Sequence, residues 1–383
     1  MIREDRAGIP SLKEGGMKRI MLALSFFAAA MAAFLPGREP QTAWKGTIVQ
    51  DGGVLIVQNP KTPIYPGGIL TLKEELSIGG GAADPNKTFS DGGCLDVDDA
   101  GRIYLTDLKE CCVRVFDPDG KLIRTFGRMG QGPGEFRQPF YVSVCPATRE
   151  VLVTDFMFGM HLFDMDGRFI RKIGTERPFM ARLDSRGRVV YLHSTVDDKG
   201  NAEFETRRAG LNAGSSRQIA VEVRRALDLF APIPYWDLGS HDRIAYGYPT
   251  DYEIRIYDGE NKLVRKVRRE YDRVETTKEQ KSALDKSASL ISAPVKLALP
   301  KYQDPFSRFN YDDRGWLIVR VPNPKAGDKR VCLDVFDEEG RYLTQVKLEK
   351  APILWKKGKA YVFAEDADGY DVLKRYGVTW DMK

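Results

Sequence analysis

CLDVDDAGRIYLTD at 94–107 and VRVFDPDGKLIRTFG at 113–127 are matched, pattern for pattern, by YVSVCPATREVLVTD at 141–155 and MHLFDMDGRFIRKIG at 160–174. Each copy holds four short runs in which apolar and polar residues alternate. Alternation with period two, broken by turn residues, marks short antiparallel β-strands. The breaks carry their own chemistry. Asp99-Ala100-Gly101, Asp119-Gly120 and Asp166-Gly167 supply the positive φ angles of tight hairpins.

The copies continue on either side. Phe116 and Phe163 both precede Asp and stand 47 residues apart; Tyr257, in RIYDGENKLVRKV, follows 94 residues later, or two periods. A degenerate copy fills the gap: ARLDSRGRVVYLHS, FETRRAG and SSRQIAVEV. Phe336, in LDVFDEEGRYLTQVKL, comes 79 residues after Tyr257, one period plus an insertion at 271–305. TTKEQKSALDKSASLI within it reads as a capped helix beginning near Thr276. The last copy, ILWKKGKAYVFAE with GYDVLKRYGV, has three strands. Copies begin near Cys94, Phe140, Phe179, Tyr235, Phe306 and Ile353. The strand ILTLKEELSI at 69–78 is spare at the other end. Six four-stranded units, the last completed from the N-terminal side, make an all-β, six-bladed β-propeller over 69–380. Such closure removes the sheet edges that invite aggregation. An open β-sandwich pair explains neither the period nor the displaced strand.

Ahead of the ring, GTIVQDGGVLIVQNP reads as a hairpin turning at Asp51-Gly52-Gly53, with a Pro/Gly loop completing 42–68. Residues 1–33 read as a leader, with Met17 as an alternative first residue. Lys18-Arg19 precede an apolar run of about 16 residues, short of the roughly 20 needed to span a bilayer, and Ala30-Met31-Ala32 suits cleavage. An uncleaved anchor is the competing reading. Export to the periplasm or outside the cell permits disulfides, and a Cys94–Cys111 or Cys94–Cys112 bridge is one arrangement of the five cysteines. With a net charge of +5 over 383 residues and no concentrated basic block, nucleic acid is not an expected partner.

GRIYLTD with VRVFDPDGKLIRTFG, followed by GQGPGEFRQP, resembles NHL-repeat propellers, and among them the six-bladed β-propeller proteins exported by bacteria. VQNPKTPIYPG with LKEELSIGG near the start and VLKRYGVTW at the end are similar to that group too. The resemblance implies a fold and an exported location rather than a reaction.

Several motifs bear on chemistry. The glycine-rich GRMGQGPGEF lacks the Lys-Ser/Thr and the helix of a phosphate loop and reads as a link between blades. Ligands of propellers are expected on the face framed by the inter-blade links and by the turns joining second to third strands. Second strands reach that face at Asp107, Asp155, His193 and Tyr248; the two aspartates also suit capping of their own turns. First strands begin there with Phe140-Tyr141, Phe179-Met180, Tyr235-Trp236 and Ser307-Arg308, with Arg182 at a similar level. Tyr235, Trp236, Arg182 and Arg308 thus form an aromatic and cationic mouth for a sugar, peptide or anionic group. His161, His193 and His241 are enough in number for a catalytic metal, but their strand positions do not converge. No Ser-His-Asp arrangement or nucleophile elbow is identifiable by spacing.

The sequence therefore predicts a non-catalytic binding scaffold without a cofactor. It would present one face to a peptide, glycan or protein partner, as a monomer or within an envelope complex, with no membrane span once the leader is removed. The insertion would overhang that face. The rival is a metal-dependent propeller enzyme, lyase- or lactonase-like, with its site at the channel mouth.

Overall fold

The computed structural model describes residues 43–81, 89–174, 178, 180–198, 201–211, 216–225, 232–289, 300–325 and 327–382. The expected leader lies outside them. Trp44–Met382 form one compact unit.

A hairpin of β1 (Thr47–Asp51) and β2 (Val54–Asn59) comes first, then β3 (Leu70–Gly79). Blade one is β4 (Gly92–Val97), β5 (Ile103–Asp107), β6 (Cys112–Phe116) and β7 (Leu122–Phe126). Blade two is β8 (Pro139–Cys145), β9 (Glu150–Asp155), β10 (Gly159–Asp164) and β11 (Phe169–Ile173). Blade three is β12 (Ala181–Leu183), β13 (Val189–Val196), β14 (Asn201–Ala209) and β15 (Ser216–Arg225). Blade four is β16 (Tyr235–Leu238), β17 (Ile244–Gly247), β18 (Glu253–Tyr257) and β19 (Leu263–Arg269). Blade five is β20 (Arg308–Tyr311), β21 (Leu317–Val321), β22 (Val331–Phe336) and β23 (Tyr342–Leu348). Blade six is β24 (Leu354–Lys356), β25 (Lys359–Glu365) and β26 (Asp371–Trp380), and β3 supplies its outermost strand. The molecule is a six-bladed β-propeller with four-stranded blades, as its sequence predicts.

Burial explains the strand patterns. β5 is buried at all five residues because neighbouring blades cover both its faces, whereas the outer β7 alternates. The six apolar clusters each join two adjacent blades; Tyr104 and Val115 meet Val153 and Phe163 between blades one and two, for example. The turns take the predicted form, with Gly101 and Gly120 both at φ 81°.

Closure runs through β3 and β26, antiparallel from Gly79↔Val372 to Leu70↔Trp380. The hairpin turns at Gly52 and Gly53, both with positive φ, as predicted. Its docking is not visible in the sequence: β2 runs parallel to β19 and widens blade four to six strands. Buried Asn59 fastens it. Its amide donates to the carbonyls of Arg268 and Gly340, and its oxygen accepts the Tyr342 amide and the Trp44 indole N–H.

In the insertion, helix α1 (Lys278–Ser289) begins two residues after Thr276. Thr277 is its cap: the Gln280 amide donates to Thr277 Oγ1 at 3.2 Å, and the Thr277 amide donates to Gln280 Oε1 at 2.9 Å. No described helix is long and apolar enough to cross a membrane.

All five cysteines are free, which corrects the expectation of a bridge from Cys94. Cys94 lines the central channel, while the buried Cys111 thiol donates to the carbonyls of Leu108 and Arg137.

Candidate functional site

The first strand of every blade lines the channel. Their pairing to the second strands puts one residue per blade at an equivalent level: Asp96 opposite Tyr104, Ser143 opposite Leu152, Arg182 opposite Val190, Asp237 opposite Ala245, Asn310 opposite Ile318 and Leu354 opposite Tyr361. Five of these six side chains are polar. They stitch blade to blade. The Val144 amide donates to Asp96 at 2.8 Å, the Leu183 amide to Ser143 Oγ at 3.0 Å, and the Tyr311 amide to Asp237 at 2.8 Å. The Arg182 guanidinium pairs with Asp237, and Lys356 Nζ reaches Asp96 at 2.6 Å. Burial alone would raise the Asp96 pKa, but Lys356, Arg182 and the Val144 amide outweigh it and the carboxyl is held below its usual range.

This ring forms a waist between two chambers. The face carrying the inter-blade links opens into one of ≈ 520 Å³, walled by Tyr141, Phe156, Met180, Leu192, Phe204 and Trp236 among others. The second, of ≈ 280 Å³, opens at the opposite mouth among the turns at Ser240–Asp242 and Asp312-Asp313. Blade three builds part of the larger wall. Its β13–β14 hairpin stays paired out to Val196↔Ala202, and Ser194 and Phe204 from this extension line the chamber. Phe156 and Ile233 leave the mouth apolar, at 48% and 45% exposure.

The sequence candidates separate. Arg182, Tyr235, Trp236 and Arg308 all line the link-face chamber. Asp107 and Asp155 are fully buried and occupied. Asp107 accepts the amides of Ser90 and Glu110 and the Arg114 guanidinium. Asp155 accepts four amides, from Arg137, Gln138, Met157 and Phe158. Both brace the turn and the incoming link. His193 does not end its strand, since β13 continues to Val196; Leu192 and Ser194 on either side line the chamber, and alternation turns His193 to the other face. Tyr248 follows β17 and is not among the residues walling the chamber. Asp96, Ser143, Asp237 and Asn310 escaped the sequence reading. Two of them carry a signal that Arg182 shares: Asp96, Arg182 and Asn310 each stand two residues before the aspartate of an Asx turn, namely Asp98, Asp184 and Asp312.

The histidines are not brought together. His241 lines the opposite chamber, and His161 is buried in blade two against Phe136 and Phe169. Among the described residues, no three His, Cys, Asp or Glu side chains are grouped to hold a metal ion. Neither ring nitrogen of His161 has a hydrogen-bond partner. Burial lowers its pKa, which nearby Asp155 offsets only in part. Below the ordinary histidine value of about 6.5 the unfolded chain takes up a proton that the folded chain refuses, so folding stability falls as pH drops through that window. His161→Leu should flatten this fall, by up to about 1.4 kcal/mol per pH unit, in urea titrations between about pH 5 and 7.

A family model, DUF5128, described as a 6-bladed beta-propeller, matches residues 93–176. A search of curated proteins gave no match. Among solved structures, a Bacteroides fragilis protein whose name marks it as a candidate exported protein aligns at 11% identity over 85% of this chain and 99% of its own, with a TM-score of 0.53. A Xanthomonas campestris gluconolactonase aligns at 13% identity over 76% of this chain and 86% of its own, with a TM-score of 0.43. Virginiamycin B lyase from Staphylococcus aureus aligns at 11% identity over 82% and 90%, with a TM-score of 0.41. At these identities the likeness shows the fold alone. The matched family model and the strand order agree on one conclusion: the chain is a six-bladed β-propeller.

Proposed function

We propose that this protein is an exported, non-catalytic binding scaffold whose link-face chamber receives part of a peptide, glycan or protein partner. One observation carries the reading: a ≈ 520 Å³ apolar chamber, within the range of ligand pockets, opens on one face and narrows inward to an ion-paired waist. The waist side chains are engaged in holding blades together, which suits a floor better than a reaction centre. The apolar mouth suits an apolar side chain or segment of the partner. Export is supported by the charged-then-apolar pattern at 17–35.

Calorimetric titration of short peptides and oligosaccharides tests this. Filling the chamber with Ser194→Trp should weaken any ligand by about tenfold or more, while Asp313→Asn at the opposite mouth leaves it unchanged. Binding indifferent to Ser194→Trp would overturn the proposal. So would stoichiometric zinc or calcium in the purified protein, the result a metal-dependent lyase or lactonase would give.

A further inference from the structure

A second layer of side chains stands above the waist. Two residues back along a strand, the side chain returns to the same face. From the waist positions this step reaches Cys94, Tyr141, Met180, Tyr235 and Arg308 in blades one to five, and all five line the link-face chamber. Burial pushes the Cys94 thiol up to about 11 and the Tyr141 hydroxyl up to about 12, so both are neutral at physiological pH. Arg308 is the single charge of this layer.

Its setting is unusual. Arg308 stands directly opposite Arg320 across β20 and β21, so both side chains rise from the same face of blade five. Like charges directly opposed in a sheet destabilise it. Among the described residues neither guanidinium has a carboxylate partner or a side-chain hydrogen bond, whereas Arg182, one layer below, is tied to Asp237. Both arginines also line a small cleft between blades five and six that adjoins the chamber. Both arginines are solvent-exposed where they rise beside the chamber, neither with an ion-pair partner among the described residues, and a bound anion would offset the repulsion.

We propose that Arg308, backed by Arg320, receives the carboxylate of an apolar acid whose body occupies the link-face chamber. A guanidinium matches a planar carboxylate with two parallel hydrogen bonds. Tyr141, Met180, Tyr235 and Phe309 offer the apolar body its contacts. Two sources share this chemistry, a small organic acid and the C-terminal residue of a peptide. The inference rests on the chamber being the binding site.

The test is calorimetric titration with decanoate, its neutral analogue decanamide, and a peptide ending in phenylalanine with a free or an amidated C-terminus. At least one acid should bind about tenfold more tightly than its amide, and Arg308→Met should abolish that advantage. Whichever acid shows it identifies the source. Arg320→Met should give a smaller loss. The thermal midpoint of ligand-free Arg308→Met should not fall, because a repulsion has been removed. Both acids binding like their amides in the wild type, or the affinity of the acid that shows the advantage staying unchanged in Arg308→Met, overturns the inference. If acid and amide bind equally and Ser194→Trp abolishes both, the chamber stands and only the carboxylate assignment falls. If none of the probes enters the chamber, both fall.

Discussion

Ile78→Asp should destabilise the protein by about 4–5 kcal/mol, enough to leave a large fraction unfolded at room temperature. Ile78 is fully buried on the strand that completes blade six, in the cluster that also holds Val97, Leu105 and Leu373. Its strand partner is Leu373. A carboxylate there has no described cation in the cluster, so it must be desolvated, protonated or expelled with the whole strand. Expulsion opens the edge of β26 and breaks the ring. Lys73→Asp, on the exposed part of the same strand, should stay within about 0.5 kcal/mol of wild type. Urea unfolding of the two variants makes the comparison. A loss of about 1 kcal/mol or less for Ile78→Asp would mean the ring tolerates an open blade.

Asp96→Ala should cost about 3–5 kcal/mol, because one carboxylate serves two junctions of the waist. It accepts the Val144 amide of blade two and pairs with Lys356 of blade six. Removing it leaves a half-buried ammonium and a buried amide without their acceptor. Since its pKa is depressed in the folded chain, its contribution is present above the unfolded carboxyl value of about 4 and is lost as pH falls below it. Wild type and Asp96→Asn should therefore converge in stability on acidification below about pH 4 and stay apart at pH 7. Parallel profiles would show that the charge of Asp96 does not matter.

What could be read from the sequence follows from what is local. Turn chemistry at Asp99-Ala100-Gly101 and Asp166-Gly167, and strand alternation, repeat with the blade, so the ring and its displaced strand were legible. The parallel docking of β2 on β19 was not, because no tight turn links the two and the partners lie some 200 residues apart. In the candidate site, Arg182, Tyr235, Trp236 and Arg308 were found as residues opening first strands on the link face. Asp107 and Asp155 were singled out with them because an aspartate at a strand end looks the same from sequence whether it faces a ligand or caps its own turn. The waist was missed because its members differ in type, Asp, Ser, Arg, Asp, Asn and Leu, and only the shared register reveals them as one set.

The chamber itself can be interrogated through its indole. Trp236 lines the link-face chamber; Trp355 lines the opposite one and also the small cleft beside Arg308 and Arg320. Titrating a bromine-bearing apolar carboxylate should quench part of the intrinsic fluorescence in wild type and in Trp355→Phe, and that part should vanish in Trp236→Phe. Absence of quenching, or quenching that survives Trp236→Phe undiminished, would place any binding outside the link-face chamber and contradict the account.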